Sequence, residues 1–270
     1  MPAHPSTRRI STAQRTRNRA VGHLPHATAA GAGGGRGGLS TELRHDVPRL
    51  VAGGVAVYAF LAVTGLLVTR VFDNGPLIQA DQRISRWFFE RRTPSLNTWT
   101  HIGTSLSDTV SAIALTMVLV IGLRLWLKRW REAATIFVSI TGELFIFVLV
   151  TATVHRQRPT VPHLDPAPPT SSFPSGHTGA AVALYVGLAV ILLLVTRGSV
   201  YRVGFVVAAA VLCIVPFIVG LSRMYRGMHF FTDVIAGALA GGLWMAIVVA
   251  TLIRSGGAMS SAAGRAGRRT

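Results

Sequence analysis

Lysine is almost missing from this chain: of 27 basic residues only Lys128 is a lysine, and the rest are arginine. Acidic residues are scarce as well, ten in 270, which leaves a formal net charge of +17. That balance is a common footprint of nucleic-acid binding. Here many of the arginines flank long uncharged apolar runs, where membrane topology accounts for them, so no nucleic-acid partner is expected. Cysteine occurs once, as Cys213 inside an apolar run. A single cysteine excludes an intrachain disulfide and reads as a small core residue. Charged residues make up 14% of the chain against 50% hydrophobic ones, with a mean hydropathy of +0.47, which excludes the surface of an ordinary soluble domain. No apolar stretch precedes residue 50, so no standard signal peptide is expected. There is no internal repeat.

What is present is a series of apolar runs. About 20 residues at helical rise cross a bilayer core, and six segments have that length: Leu50–Thr69, Thr109–Leu127, Ala133–Val154, Thr178–Thr196, Val203–Leu221 and Val234–Ile253. The expected fold is therefore all-α, a six-span transmembrane helical bundle over residues 47–254. Residues 1–46, rich in Arg, Ser, Ala and Gly, are expected to be a disordered basic tail, and 255–270 a second one. His4, His23, His26 and His45 in the first tail follow no metal-ligand spacing. Between the first two spans, Leu77, Ala80, Ile84, Trp87 and Phe88 recur at three- and four-residue steps, with Asp81, Arg83 and Arg86 opposite. This is either a helix lying in the membrane interface or an amphipathic loop helix packed on the bundle. Glu143 interrupts the third span. An ionisable group at that depth is a functional candidate or a carboxylate satisfied internally.

Six spans put both tails on one side, and that side collects 18 of the 27 Lys and Arg. The positive-inside rule places the tails in the cytoplasm. The loops at 155–176 and 222–229 then share the extracytoplasmic interface of a cell membrane.

Those two loops hold the chemistry. The second reads Ser222-Arg223-Met224-Tyr225-Arg226-Gly227-Met228-His229-Phe230-Phe231-Thr232-Asp233. With a helix starting near Phe230, His229 and Asp233 stand one turn apart on a shared face. That spacing lets the carboxylate hold one ring nitrogen while the other stays free as a nucleophile. Arg223 brings a forked cation suited to phosphate oxygens. The first loop carries Arg156-Gln157-Arg158-Pro159 and Pro174-Ser175-Gly176-His177. Arg158 is a second phosphate-binding cation. Ser175 and Gly176 open the fourth span, where N–H groups at a helix start favour an anion. His177 is placed to act as a general acid.

Arg158-Pro159, Pro174-Ser175-Gly176-His177 and Ser222-Arg223…His229…Asp233, in this order, resemble the three-part signature of the type-2 phosphatidic acid phosphatase (lipid phosphate phosphatase, vanadium-haloperoxidase-related) superfamily. The resemblance implies a lipid phosphate substrate drawn from the bilayer, of the undecaprenyl diphosphate or phosphatidate class. It implies a phosphohistidine on His229, His177 as the acid, Asp233 as the orienting carboxylate, and Arg158, Ser175, Gly176 and Arg223 around the phosphate, with no metal and no cofactor. Transfer to another acceptor, or binding without catalysis, are the alternatives. One position departs from the pattern. The family has a lysine seven residues before its first arginine, and here that residue is Thr151. Either Arg156, or less directly His155, supplies the missing cation, or the pocket holds phosphate more weakly or selectively. Arg226 is open to a second phosphate or to the lipid surface.

Overall fold

The computed structural model describes residues 34–72 and 75–254. The described residues fall into two units that divide between Leu43 and Arg44. The described part of the first, 34–43, is helical. The expected tails therefore lie outside the described residues up to 33 and from 255, and 34–46 is helix.

Among the described residues there are helices and no strands: α1 (Gly34–Leu66), α2 (Pro76–Glu90), α3 (Pro94–Ser105), α4 (Thr109–Leu127), α5 (Trp130–Thr153), α6 (Gly176–Ala181), α7 (Gly187–Val195), α8 (Arg202–Tyr225) and α9 (Phe231–Val249). A π-helical turn, Val182–Val186, joins α6 to α7. Six segments are long and apolar enough to cross a bilayer: Asp46–Val71, Thr109–Leu127, Trp130–Thr153, Gly176–Val195, Arg202–Tyr225 and Phe231–Ile253. These match the six runs read from the sequence, with ends that differ by up to four residues. The protein is a multi-span helical membrane protein.

Local sequence sets the helix starts. Pro76 and Pro94 occupy first-turn positions of α2 and α3, where the missing N–H costs nothing. The Thr93 side chain caps α3 by accepting from Leu96 N–H (3.2 Å), and Asp108 caps α4 by accepting from Ser111 N–H (2.8 Å). Two apolar clusters hold the spans together. One joins Val57 and Leu61 of α1, Ile146 and Val150 of α5, and Ala240, Trp244 and Val248 of α9, with Phe173 of the long loop. The other joins Leu123 of α4, Ile136 of α5, Leu184 and Ile191 of the α6–α7 span, and Val219 of α8. Helix α9 lies very close to the start of α6. A Cβ on Gly237 would stand 2.2 Å from the Ser175 carbonyl oxygen, and one on Gly241 2.3 Å from that of Gly179. Small residues at this spacing allow such an approach, and it brings the Pro-Ser-Gly-His loop beside the first turn of α9.

Candidate active site

The end of α8 is fixed by its sequence. Gly227 adopts φ +76°, Gly227 N–H bonds Met224 O (3.0 Å), and Met228 N–H bonds Arg223 O (3.0 Å). This is the Schellman arrangement, which needs a residue without a Cβ penalty at that point. Helix α9 begins at Phe231, so only a few residues separate the two spans. Arg223 in the last turn of α8, His229 in the link and Asp233 in the first turn of α9 are drawn together as a result.

His229 is buried, and its Nδ1 lies 2.7 Å from the carbonyl oxygen of Ser172. With the proton on Nδ1, that carbonyl accepts it and Nε2 keeps its lone pair. The expected partner was the Asp233 carboxylate. It stands 3.9 Å away, too far for a hydrogen bond. Asp233 is engaged elsewhere: one oxygen accepts Phe230 N–H (2.9 Å) and the other pairs with Arg156. Its reach back to the residue before the helix is half of a capping box. Asp233 therefore orients the segment that carries His229, and the Ser172 carbonyl orients the ring. Burial, followed by the charges of Arg223 and Arg158, pushes the His229 imidazolium pKa well below its ordinary value, which keeps the ring neutral.

His229, His177, Arg158, Arg223 and Gly176 line one cavity of about 460 Å³. Arg158 donates to the Met228 carbonyl (2.8 Å), and Arg223 to Thr104 Oγ1 (3.0 Å) and Asp165 Oδ2 (3.1 Å). The Nε atoms of both arginines are buried without a hydrogen-bond partner among the described residues. Two buried donors left unpaired in one cavity match the demand of a phosphate group. Ser107 donates to the backbone carbonyl of His177 (2.9 Å), which pins the start of α6.

Three expected ligands are placed otherwise. The Ser175 hydroxyl is buried against Thr178 Oγ1 (3.0 Å) and is absent from the cavity wall, so this turn offers Gly176 and its backbone rather than a serine donor. Arg156 does not replace the missing lysine. It is buried between Asp81 (2.7 Å) and Asp233, also donates to Thr232 (2.7 Å), and stacks over the Phe230 ring at 4.4 Å. Arg226 is buried and bidentate on Asp165 (2.7 and 2.5 Å), and it also donates to the carbonyls of Asn97 and Leu164 (3.0 and 3.1 Å). It is free for neither a second phosphate nor the lipid surface. The Thr151 hydroxyl bonds the carbonyls of Phe147 and Val148 (3.0 Å each), and His155 is exposed. The first motif thus gives the cavity one cation, Arg158.

Two carboxylates have partners that the sequence reading did not give them. Asp165 bridges Arg223 and Arg226. Burial pushes its carboxyl up, but the Arg226 hydrogen bond and the charges of Arg226, Arg223 and His101 together hold it below the usual carboxylate range. It is the sole acid between residues 144 and 232, and that isolation was the available signal. Asp81 was read on the polar side of α2 with Arg83 and Arg86, and no partner was assigned to it. It is buried, pairs with Arg156 and accepts from Thr232, whereas Leu77 and Trp87 are exposed.

A family model described as the PAP2 superfamily matches residues 132–256, which include all three motif segments. Phosphatidylglycerophosphatase B of Bacillus subtilis (strain 168) is 29% identical over 188 residues, covering 65% of this chain and 85% of that protein. The crystal structure of a transmembrane PAP2-type phosphatidylglycerolphosphate phosphatase from Bacillus subtilis is similar with a TM-score of 0.62. It is 24% identical and covers 72% of this chain and 93% of that one, a likeness of fold.

Proposed function

We propose, from the match of residues 132–256 to the PAP2 superfamily model, that the chain is an integral membrane phosphatase of that superfamily. It hydrolyses a lipid phosphate or diphosphate, of the undecaprenyl diphosphate or phosphatidate class, through a phosphohistidine on His229. The observation that carries this reading is the meeting of two unpaired buried guanidinium Nε atoms, a neutral histidine and His177 in one largely apolar cavity.

The reaction runs in two displacements. Arg158 and Arg223 hold the phosphoryl oxygens, and the N–H groups at the start of α6 add partial positive charge. His229 Nε2 attacks phosphorus. The P–N bond forms as the P–O bond to the lipid breaks, and His177 delivers a proton to the departing oxygen. Water then attacks the phosphohistidine with His177 taking its proton, the P–N bond breaks, and inorganic phosphate leaves. A positioned acid–base group of this kind is worth roughly 10²–10⁴-fold. The lipid tail stays in the bilayer while its headgroup enters between the spans.

The test is phosphate release by the purified protein in detergent, from undecaprenyl diphosphate and from phosphatidate, with excess chelator present. Release from either supports a metal-independent phosphatase and selects the lipid class. His229→Ala is expected to abolish release, and His177→Ala to lower it by roughly 10²-fold or more. Undiminished turnover by His229→Ala would falsify the assignment.

A further inference from the structure

The cavity extends past the phosphate-binding end into apolar territory between α4 and α5, lined by Ile113, Met117, Phe137, Ile140 and Leu144. One acidic side chain stands on that wall. Glu143 is 3% exposed and lines the cavity. Among the described residues it makes no hydrogen bond and no ion pair. Thr116 and Thr141 on the same wall turn their hydroxyls to their own helices, bonding the carbonyls of Ala112 (2.6 Å) and Phe137 (2.7 Å). Room for the carboxyl is built in on the facing helix: a Cβ on Gly179 would stand 2.1 Å from Glu143 Oε1. A buried polar group without a partner is costly. A carboxyl kept in an apolar channel that leads to a phosphate site fits a ligand that brings the partner with it.

The depth says which part of the ligand arrives there. Phe147 packs at the level of the phosphate loop, since a Cβ on Gly176 would stand 2.9 Å from its Cε2. Glu143 lies four residues earlier on α5, about 6 Å deeper at helical rise. Four or five single bonds separate the phosphorus of a glycerol-based lipid from its first ester or hydroxyl groups, a reach of about 5 Å at ordinary bond lengths. A polyprenyl phosphate has only hydrocarbon at that distance.

We propose that Glu143 is a specificity-determining residue that hydrogen-bonds a polar group in the linker of the lipid, an ester or a hydroxyl about one helical turn below the phosphate, and so favours glycerol-based lipid phosphates over polyprenyl ones. This rests on the lipid phosphatase reading. The test compares kcat/KM of the wild type, Glu143→Leu and Glu143→Gln on phosphatidate, lysophosphatidate and farnesyl phosphate. Loss of one such hydrogen bond is worth roughly tenfold. Glu143→Leu is expected to lose about that factor on phosphatidate, lysophosphatidate or both, with farnesyl phosphate nearly unchanged, and Glu143→Gln to recover most of the loss. The glycerol lipid that suffers identifies ester or hydroxyl as the partner. Equal losses on all three lipids, no loss on any, or a Gln variant as poor as Leu would overturn the proposal. The same lipids are also tested for thermal stabilisation of the His229→Ala protein with and without Glu143→Leu. If the wild type turns over none of them and releases no phosphate from undecaprenyl diphosphate, but stabilisation by the glycerol lipids depends on Glu143, the phosphatase reading fails and Glu143 is left as a determinant of lipid binding. If the wild type releases phosphate from undecaprenyl diphosphate alone, with no Glu143-dependent stabilisation, the phosphatase reading stands and this proposal fails. If neither turnover of any of the four nor Glu143-dependent stabilisation is seen, both fail.

Discussion

A histidine that is to attack phosphorus must arrive without its second proton. Burial of His229, with Arg223 and Arg158 beside it, holds its pKa well below 6.5. In the proposed mechanism protonation would block the attacking lone pair, so acid is expected to inactivate this group and neutral pH is not. In a histidine-ring NMR titration, with the His229 signal identified by its loss in His229→Ala, the free protein should show a neutral ring from pH 8 through 6.5. Arg223→Ala removes the larger of the two neighbouring charge effects and should move the titration to higher pH. A ring that titrates at or above 6.5 in the wild type would contradict the geometry. The sequence pattern singled out His229, His177, Arg158 and Arg223 by residue type and spacing, and the structure brings all four to one cavity. The ring's partner was not legible in the sequence. It is the main-chain carbonyl of Ser172, and every residue has a carbonyl, so no side chain signals it. Asp165 was equally hidden, since its arginine partners lie 58 and 61 residues away.

Helix α2 shows how one polar residue of an amphipathic element is drawn into a buried ionic network. Its period was readable, and so were its apolar residues. The pattern put Asp81, Arg83 and Arg86 together on its polar side. The structure divides that side: Asp81 is buried toward Arg156 and Thr232, whereas Arg83 and Arg86 are exposed. The chain Asp81–Arg156–Asp233–Phe230 N–H ties this helix to the segment carrying His229. Removing one partner of a buried ion pair costs about 3–5 kcal/mol, because a charge is left uncompensated. Arg156→Ala strands two carboxylates and should lower both the unfolding temperature in detergent and the turnover. Asp81→Asn keeps hydrogen-bonding capacity toward Arg156 and should cost less on both counts. An Arg156→Ala protein as stable and active as the wild type would show that the network holds nothing in place.

At the scale of the molecule, the bilayer made the fold legible. Hydrocarbon thickness sets a minimum apolar length, and six runs met it in both sequence and structure. The span ends shifted because caps and loop contacts, not hydropathy, decide where a helix stops: the last span begins at Phe231, where Asp233 caps it, ahead of the apolar run itself. Orientation is an expectation drawn from charge. Eighteen of the 27 Lys and Arg lie on the side of the tails and the two short loops, and the positive-inside rule predicts that this side is cytoplasmic and that the loops carrying Arg158 and His229 face outward. A cysteine placed at an exposed position on each side tests this in a Cys213→Ser background, using Thr160→Cys in the long loop and Val200→Cys in the α7–α8 connection. In intact cells a membrane-impermeant maleimide should label the first, and should reach the second only after lysis. The reverse pattern would invert the protein while keeping its spans, because the site loops move together under any six-span arrangement. Labelling of both from outside would break the span count itself, since an odd number of crossings must separate two positions on opposite faces.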